Sequence, residues 1–459
     1  MKYLKIKYKS IIENNRLKAG FYLSDGVIYD QLIKSKPFEY LIDSQSYCSN
    51  IGGVNKRIFV SKEKGTALVS MSDMLTFEPH NSCKYVSKTI GNNTSKHIFK
   101  NEMILASVVG TIGQVAFVNK ISEGSVTGNN IIKFISERED YNGFIYAYLK
   151  SKYGNTLIKQ LGGGSVQSYI DPELFKKIPV PIINDDLRKR IHQLIISSSE
   201  LKVEANNLLK NAKKIIIESL PSIKDIDKIN NKIYIKTVRN NYQKRLVSGS
   251  YINNGVKTIE SYQKLDIEFK KLSDFKILVN RPGIFKRIKV NSKNGFPYIK
   301  GSEINLQDPF SSCEYLSKSR TPFLDELSLK ENQILFTCAG TVGEVKLISK
   351  EFEEKLAVGS QDIIRIDSND KKLNCYYLFA YLKLDFINDF IQSLKYGSVI
   401  ERVEPFHLDM IPIYLPSDNL IEKVTANIQQ YKSNLYQSFK LEEKAIDLIE
   451  KEIESWQKS

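Results

Sequence analysis

Most of what this chain can fold into is fixed by its being written twice. "MILASVVGTIGQVAFV" at 103–118 returns as "QILFTCAGTVGEVKLI" at 333–348, 230 residues later. Ile104, Leu105, Gly110, Thr111, Gly113 and Val115 match Ile334, Leu335, Gly340, Thr341, Gly343 and Val345. "RLKAGFY" at 16–22 pairs with "RLVSGSY" at 245–251, and "SCKYVSK" at 82–88 with "SCEYLSK" at 312–318. "YAYLK" at 146–150 pairs with "FAYLK" at 379–383, and "GSV" at 164–166 with "GSV" at 397–399. The blocks keep their order and nearly their spacing. A repeat of this length is too long for a solenoid, whose period is roughly 20–50 residues. The 459 residues are therefore two diverged copies of one unit, each large enough to bury its own core.

Charge narrows what two related surfaces would bind. Lys plus Arg is 67 against 52 Asp plus Glu, a formal charge of +15. Such an excess suits an anionic partner, most often nucleic acid or an anionic membrane. No segment approaches the roughly 20 apolar residues of a membrane span, and lysines interrupt the N-terminal "MKYLKIKYKSIIENN". The five cysteines never occur as CxxC, which argues against a zinc site or a disulfide framework and fits a reducing cytosol.

Within each copy the hydrophobic period changes. "RIFVSK", "TALVSM", "MILASVV", "QVAFVNK" and "NIIKFIS" read as strands. Gly-Thr-x-Gly, at Gly110–Gly113 and Gly340–Gly343, reads as a tight turn joining two of them, since glycine takes positive φ at little cost. A short helix follows at 141–161 and 374–394, then a glycine-containing loop and the strands "KKIPVPII" and "DMIPIYLP". Each copy ends in a long helix. Leu187, Ile191, Leu194, Ser198, Leu201, Ala205, Leu208, Ala212 and Ile215 alternate spacings of four and three, a heptad seam that Pro221 closes. Val424, Ile428, Tyr431, Leu435, Ser438, Leu441, Ala445 and Leu448 make a similar stripe. An ordinary amphipathic helix packed on its own domain would show the same stripe. Two such helices, one per copy, favour their pairing with each other as an antiparallel coiled coil about a pseudo-two-fold.

The expected fold is thus α+β. Residues 1–184 are expected to form a first β-rich domain and 185–220 its helix, with 221–229 a joint, 230–417 a second β-rich domain and 418–459 the final helix. No GxxxxGK[ST], GxGxxG or HExxH segment is present, and no two prolines are adjacent, so the Pro-Pro loop of amino-methyltransferases is missing. His80, His97, His192 and His407 are scattered, and no Ser/His/Asp or Cys/His group recurs in both copies. Each histidine reads as a surface or packed residue. The chain is expected to be non-catalytic.

Four blocks in order, twice, resemble the DNA specificity subunits of type I restriction–modification systems. These are the "RLKAGFY"/"RLVSGSY" block, Ile104–Val115 with Ile334–Val345, the Gly-Ser loop running into "IPVP" and "IPIYLP", and the long helix after each. The resemblance covers nearly the whole chain. It implies two target-recognition domains held apart by antiparallel helices, reading a bipartite site on double-stranded DNA. It also implies two modification subunits that methylate adenine with S-adenosylmethionine, and restriction subunits that need ATP and Mg. Those cofactors would lie on the partners and none in this chain. The family's loop usually reads Gly-Ser-x-Gln, matched by Gly164, Ser165, Val166 and Gln167, whereas the second copy has Gly397, Ser398, Val399 and Ile400. A shared polar role at that fourth position is thereby in doubt for the second copy.

Candidate DNA contacts are Lys56 and Arg57, repeated as Lys286 and Arg287, with Ser165, Gln167 and Ser398 in the loops. Gly110, Thr111, Gly113, Gly340, Thr341 and Gly343 are candidate scaffold turns. Leu187, Ile191, Leu194, Leu201, Leu208, Val424, Ile428, Tyr431 and Leu435 are candidate seam and partner-docking positions. Two readings remain beside this one: the specificity subunit of a type IIB-like system, and a protein scaffold that uses no nucleic acid. The second leaves the charge unexplained.

Overall fold

The computed structural model describes residues 19–50, 57–81, 83–88, 98–128, 130–162, 169–223 and 251–456. The chain divides into two compact units that do not follow it linearly. One holds Met1–Val203 with Gln437–Ser459, and the other Glu204–Tyr436.

In the first unit, helix α1 (Asp25–Lys34) precedes strands β1 (Phe38–Tyr40), β2 (Ser46–Asn50), β3 (Phe59–Val60), β4 (Gly65–Leu68) and β5 (Lys84–Ser87). Then come β6 (Ile104–Ser107), β7 (Val115–Phe117) and β8 (Ile131–Ser136). Helices α2 (Asn142–Lys150) and α3 (Lys152–Gln160) and strand β9 (Pro179–Pro181) follow, then the long α4 (Asp185–Glu218), which belongs to this unit as far as Val203. The strands form a four-stranded sheet ordered β2-β8-β6-β7, a three-stranded sheet β3-β5-β4 and the pair β1-β9. The β-branched run of β8 makes it a buried central strand, with Ile132 and Phe134 fully enclosed. All five strands expected from the sequence form here. The polar "SYCSN" of β2 shows no strand period, yet it pairs with β8 along its length, from Ser46↔Ser136 to Asn50↔Ile132. An edge strand has one neighbour and needs little apolar surface, so pattern alone does not reveal it.

The second unit repeats the plan. Helix α5 (Asn254–Gln263) leads into β10 (Lys270–Lys271), β11 (Ile277–Asn280), β12 (Lys289–Val290), β13 (Gly295–Ile299) and β14 (Glu314–Ser317). Next are β15 (Ile334–Thr337), β16 (Val345–Leu347), β17 (Val358–Gly359) and β18 (Ile363–Ser368). Helices α6 (Cys375–Leu382) and α7 (Asp385–Ser393), strand β19 (Pro412–Ile413) and the long α8 (Asp418–Ser455), as far as Tyr436, complete it. The sheets are β11-β18-β15-β16, β12-β14-β13-β17 and β10-β19. Detail is repeated as well as outline. Tyr148 Oη donates to the Pro179 carbonyl at 2.5 Å, and Tyr381 Oη to the Pro412 carbonyl at 2.7 Å.

Two local expectations change. The single helix expected over 141–161 is two, because Ser151 leaves helical space (φ −61, ψ 159) and its hydroxyl caps the second helix at Gly154 N. Gly154 lies so close under the first helix that a Cβ would sit 2.2 Å from the Tyr148 carbonyl oxygen. The second copy breaks in the same way at Leu384.

The long helices also bury a different stripe from the one the leucines suggest. On α4 the buried stripe runs through Ile191, Ile195, Ser198, Lys202, Ala205, Leu209, Ala212 and Ile216, with His192 and Asn206 buried beside it. Leu187, Leu194, Leu201 and Leu208, expected in the seam, are half-buried at its side. On α8 Val424, Ile428, Tyr431 and Leu435 are buried as expected. Further on, Glu442 and Ile449 are buried where Leu441 and Leu448 were expected. On α4 the seam lies one residue beyond Leu194, Leu201 and Leu208, and on α8 one residue beyond Leu441 and Leu448 alone, because the chain places Lys202 and Glu442 in the seam and leucines beside it. In each unit the early part of one long helix lies along the late part of the other, an antiparallel pairing. In the first unit, Ile191, Ile195, Ala445, Ile449 and Ile453 join the core beneath α2 and α3. Ser198 Oγ meets Ser438 Oγ at 2.9 Å, and Lys202 Nζ meets Glu442 Oε2 at 2.7 Å. Glu442 also takes the Tyr146 hydroxyl at 2.7 Å and the Lys150 ammonium at 3.4 Å. In the second unit Asn211 Nδ2 donates to Asn427 Oδ1 at 3.0 Å. Among the described residues no helix is long and apolar enough to cross a membrane.

Candidate nucleic-acid interface

Strand β6 ends at Ser107, and the chain returns into β7 through the Gly-Thr-x-Gly segment. The return is a seven-residue loop, longer than the tight turn expected. Ser107 N donates to the Gln114 carbonyl at 3.0 Å, and Gly110 and Gly113 carry φ of 79 and 93. In the second copy Thr337 N meets the Glu344 carbonyl at 3.0 Å, and Gly340 and Gly343 carry φ of 73 and 98. A residue with a Cβ is strained at such angles, which explains the glycines. Helices α3 and α7 support the loops from behind. Asn155 Nδ2 donates to the Gly113 carbonyl, and Gln392 Nε2 to the Val342 carbonyl at 3.0 Å.

Beside this loop the first unit opens into a cleft of about 1010 Å³. One wall comes from the small sheet and the turn after it, including Leu68–Asp73, Cys83 and Lys84. The other comes from Ser107, Val109, Thr111, Gln114, Thr127, Gly128, Asn130 and Ile131. Arg57 lies over the backbone of Gly128, so close that a Cβ there would meet its guanidinium at 2.7 Å. Lys84 Nζ stands 5.2 Å from the Phe59 ring centre. Thr127 is 5% exposed, and its Oγ1 has no hydrogen-bond partner among the described residues.

The backbone frame fixes the corresponding positions of the second unit. Val108 N bonds the Asn130 carbonyl and Cys338 N the Asp362 carbonyl, at 3.2 and 3.1 Å. Leu68 pairs with Lys84, and Tyr298 with Glu314. Gln114, Asn130 and Lys84 therefore correspond to Glu344, Asp362 and Glu314. The second unit ties these carboxylates up internally. Glu344 accepts from Asn305, Asp362 lies 3.7 Å from Arg281, and Glu314 bridges Lys289 and Lys300 at 2.6 and 3.3 Å.

A buried cation lies under each sheet at the same register, Lys133 opposite Leu105 and Arg365 opposite Leu335. Burial pushes the Lys133 ammonium down to about 8 and the Arg365 guanidinium down to about 10. Arg365 fills its site, donating to the carbonyls of Ser360, Ile363 and Gly359 at 2.6–2.8 Å.

Of the DNA-contact candidates, Arg57 lines the cleft. Lys286 and Arg287 are exposed on the approach to β12. Ser398 is exposed on a loop closed by the Tyr396↔Arg402 bridge, which a second bridge, Ala339↔Arg402, fastens to the Gly-Thr-x-Gly segment. Lys56, Ser165 and Gln167 lie outside the described residues. Gln114, Asn130, Thr127 and the Lys133/Arg365 pair went unnoticed in the sequence. The signal was there for Gln114 and Asn130, where the aligned copies change to Glu344 and Asp362 between matching neighbours, whereas Lys133 and Arg365 keep the cation. His192 is buried, accepts from Gly143 N at 3.1 Å through Nδ1, and is held below its ordinary range by burial. His407 accepts from Glu404 N at 3.0 Å. Among the described residues no group of three His, Cys, Asp or Glu side chains could hold a metal ion.

A family model described as the type I restriction modification DNA specificity domain matches residues 49–211 and again 264–451. Solved structures with similarity include the type I restriction–modification S subunit from M. genitalium. It is 14% identical, covers 90% of this chain and 95% of its own, and has a TM-score of 0.34. The HsdS subunit from Thermoanaerobacter tengcongensis is 11% identical over 89% of this chain and 96% of its own, with a TM-score of 0.27. No curated protein sequence matches.

Proposed function

Because the chain belongs to the type I restriction–modification DNA specificity family, which its sequence matches over both copies, we propose that it is the non-catalytic subunit that reads a bipartite target on double-stranded DNA. Each unit reads one half-site, and the paired long helices set the gap between them. Modification subunits, two per chain, dock on the helices and methylate adenine with S-adenosylmethionine. Restriction subunits supply ATP- and Mg-dependent cleavage. One observation carries the reading: the same backbone frame occurs twice with different side chains on its open wall, as two readers of unlike half-sites require. The +15 charge supports a polyanionic ligand.

Arg57 is a phosphate contact in this scheme, with Lys286 and Arg287 in the second unit. The test is affinity for the duplex target against salt, measured with the modification subunits present. The log–log slope should be steep, about −0.9 per phosphate neutralised, and Arg57→Ala should reduce it by about one contact. A flat dependence, or turnover of DNA by the pure chain given Mg, ATP and S-adenosylmethionine, would refute the proposal. Mapping methylated adenines in DNA from cells carrying the complete system would identify the target.

A further inference from the structure

We propose that the cleft of the first unit reads adenine in its half-site, through the side-chain amides of Gln114 and Asn130. This rests on the DNA-reading function proposed above and extends it to named residues.

Four observations support it. The two amides flank Ser107 and Val108 on neighbouring strands, so their backbones stand roughly 10 Å apart at ~4.8 Å per strand spacing. That places them within reach of neighbouring base pairs. Neither amide has a side-chain partner among the described residues, although both line the cleft. The buried Thr127 hydroxyl beside them is also without a partner, so the cleft offers more hydrogen-bonding capacity than the protein uses. In the second unit the matching positions are Glu344, which accepts a hydrogen bond from Asn305, and Asp362, which is ion-paired with Arg281. The frame stays constant while the reading chemistry differs.

Amides suit one base above the others. The amide oxygen accepts from adenine N6–H and the amide nitrogen donates to N7, a two-point contact that guanine and the pyrimidines do not offer in the major groove. Arg57 and Lys84, at the rim, supply the cations that position the backbone without reading sequence. The matching positions of the second unit carry carboxylates, which accept hydrogen bonds but donate none, so they cannot read adenine in this way.

The experiment uses the intact complex with its modification subunits and replaces each adenine of the target in turn by 7-deazaadenine. This analogue lacks only the N7 acceptor. Wild type should lose about tenfold in affinity at adenines of one half-site alone. Gln114→Ala and Asn130→Ala should each abolish the loss at one of those adenines. Gln114→Glu keeps the side chain's size and removes the donor, so it should behave like Gln114→Ala and guards against a folding defect. If every variant responds to each substitution as wild type does, or if the first half-site contains no A·T pair, the inference is overturned. A wild-type complex with no sequence preference at all would instead overturn the DNA-reading function on which it rests.

Discussion

Replacing Glu442 with Gln tests what a buried charge does in the helix pair. Glu442 is 8% exposed and faces Lys202, itself 9% exposed, at 2.7 Å. Burial alone would raise its carboxyl. The Lys202 and Lys150 ammoniums, with hydrogen bonds from Lys202 and Tyr146, outweigh burial and hold it down to about 2 from 4.5. That difference corresponds to about 3 kcal/mol, at about 1.4 kcal/mol per pKa unit. Removing the charge leaves Lys202 buried without its counter-ion, and single-partner losses of this kind cost about 3–5 kcal/mol. Glu442→Gln should therefore cost about 3 kcal/mol. For a unit of about 200 residues, at about 2–4 °C per kcal/mol, the melting temperature should fall by roughly 6–12 °C. The pH dependence provides an independent check. A carboxyl depressed in the fold stabilises above its unfolded pKa, and that stabilisation is lost as pH falls from about 4.5 to about 2. Wild type should weaken across this window by about 3 kcal/mol more than the variant does. A loss under about 1 kcal/mol at pH 7, or the same acid profile in both proteins, would refute this account of the cluster. The double change Glu442→Leu with Lys202→Met removes both charges and should recover most of the stability.

The displaced seam makes a second prediction. Leu209→Ala, at a site 2% exposed, should cost about 2–5 kcal/mol, and Leu208→Ala, half-buried beside it, about 1 kcal/mol, read by urea unfolding. Equal losses would restore the leucine seam. Glycine packing makes a third. A Cβ on Gly255 would lie 2.2 Å from Phe390 N and 2.5 Å from the Phe386 carbonyl oxygen, both backbone atoms of α7. Gly255→Ala should therefore cost about 1–3 kcal/mol, seen as a lower melting temperature. Gly283→Ala, with nothing within 4 Å, should stay within about 0.5 kcal/mol.

The duplication carried most of the fold, because a repeat aligns turns, strands and helix starts without reference to propensity. The strands around Ile104–Ser107 and Ile334–Thr337 were legible for that reason. β2 was not, since "SYCSN" pairs through backbone hydrogen bonds and buries little. The helix stripe was half legible. Ile191, Ser198, Ala205 and Ala212 were assigned correctly. Lys202 was not, because a lysine in a seam contradicts hydrophobic patterning until Glu442 is known to face it. Among candidate contacts, the repeated basic pair led to Arg57. Gln114 and Asn130 are not legible in the repeat because they differ between the copies, and a repeat marks only the positions that stay the same.

The interleaved composition of the units bears on how the chain is made. The first unit needs Gln437–Ser459, which follow Val203 by more than two hundred residues. At about 5–20 residues per second, its core stays open for roughly 10–50 s after Val203 has been synthesised. During that time Ile191 and Ile195 await Ala445, Ile449 and Ile453. Synthesis cannot deliver the two halves as independently finished domains: the half begun first is among the last to close.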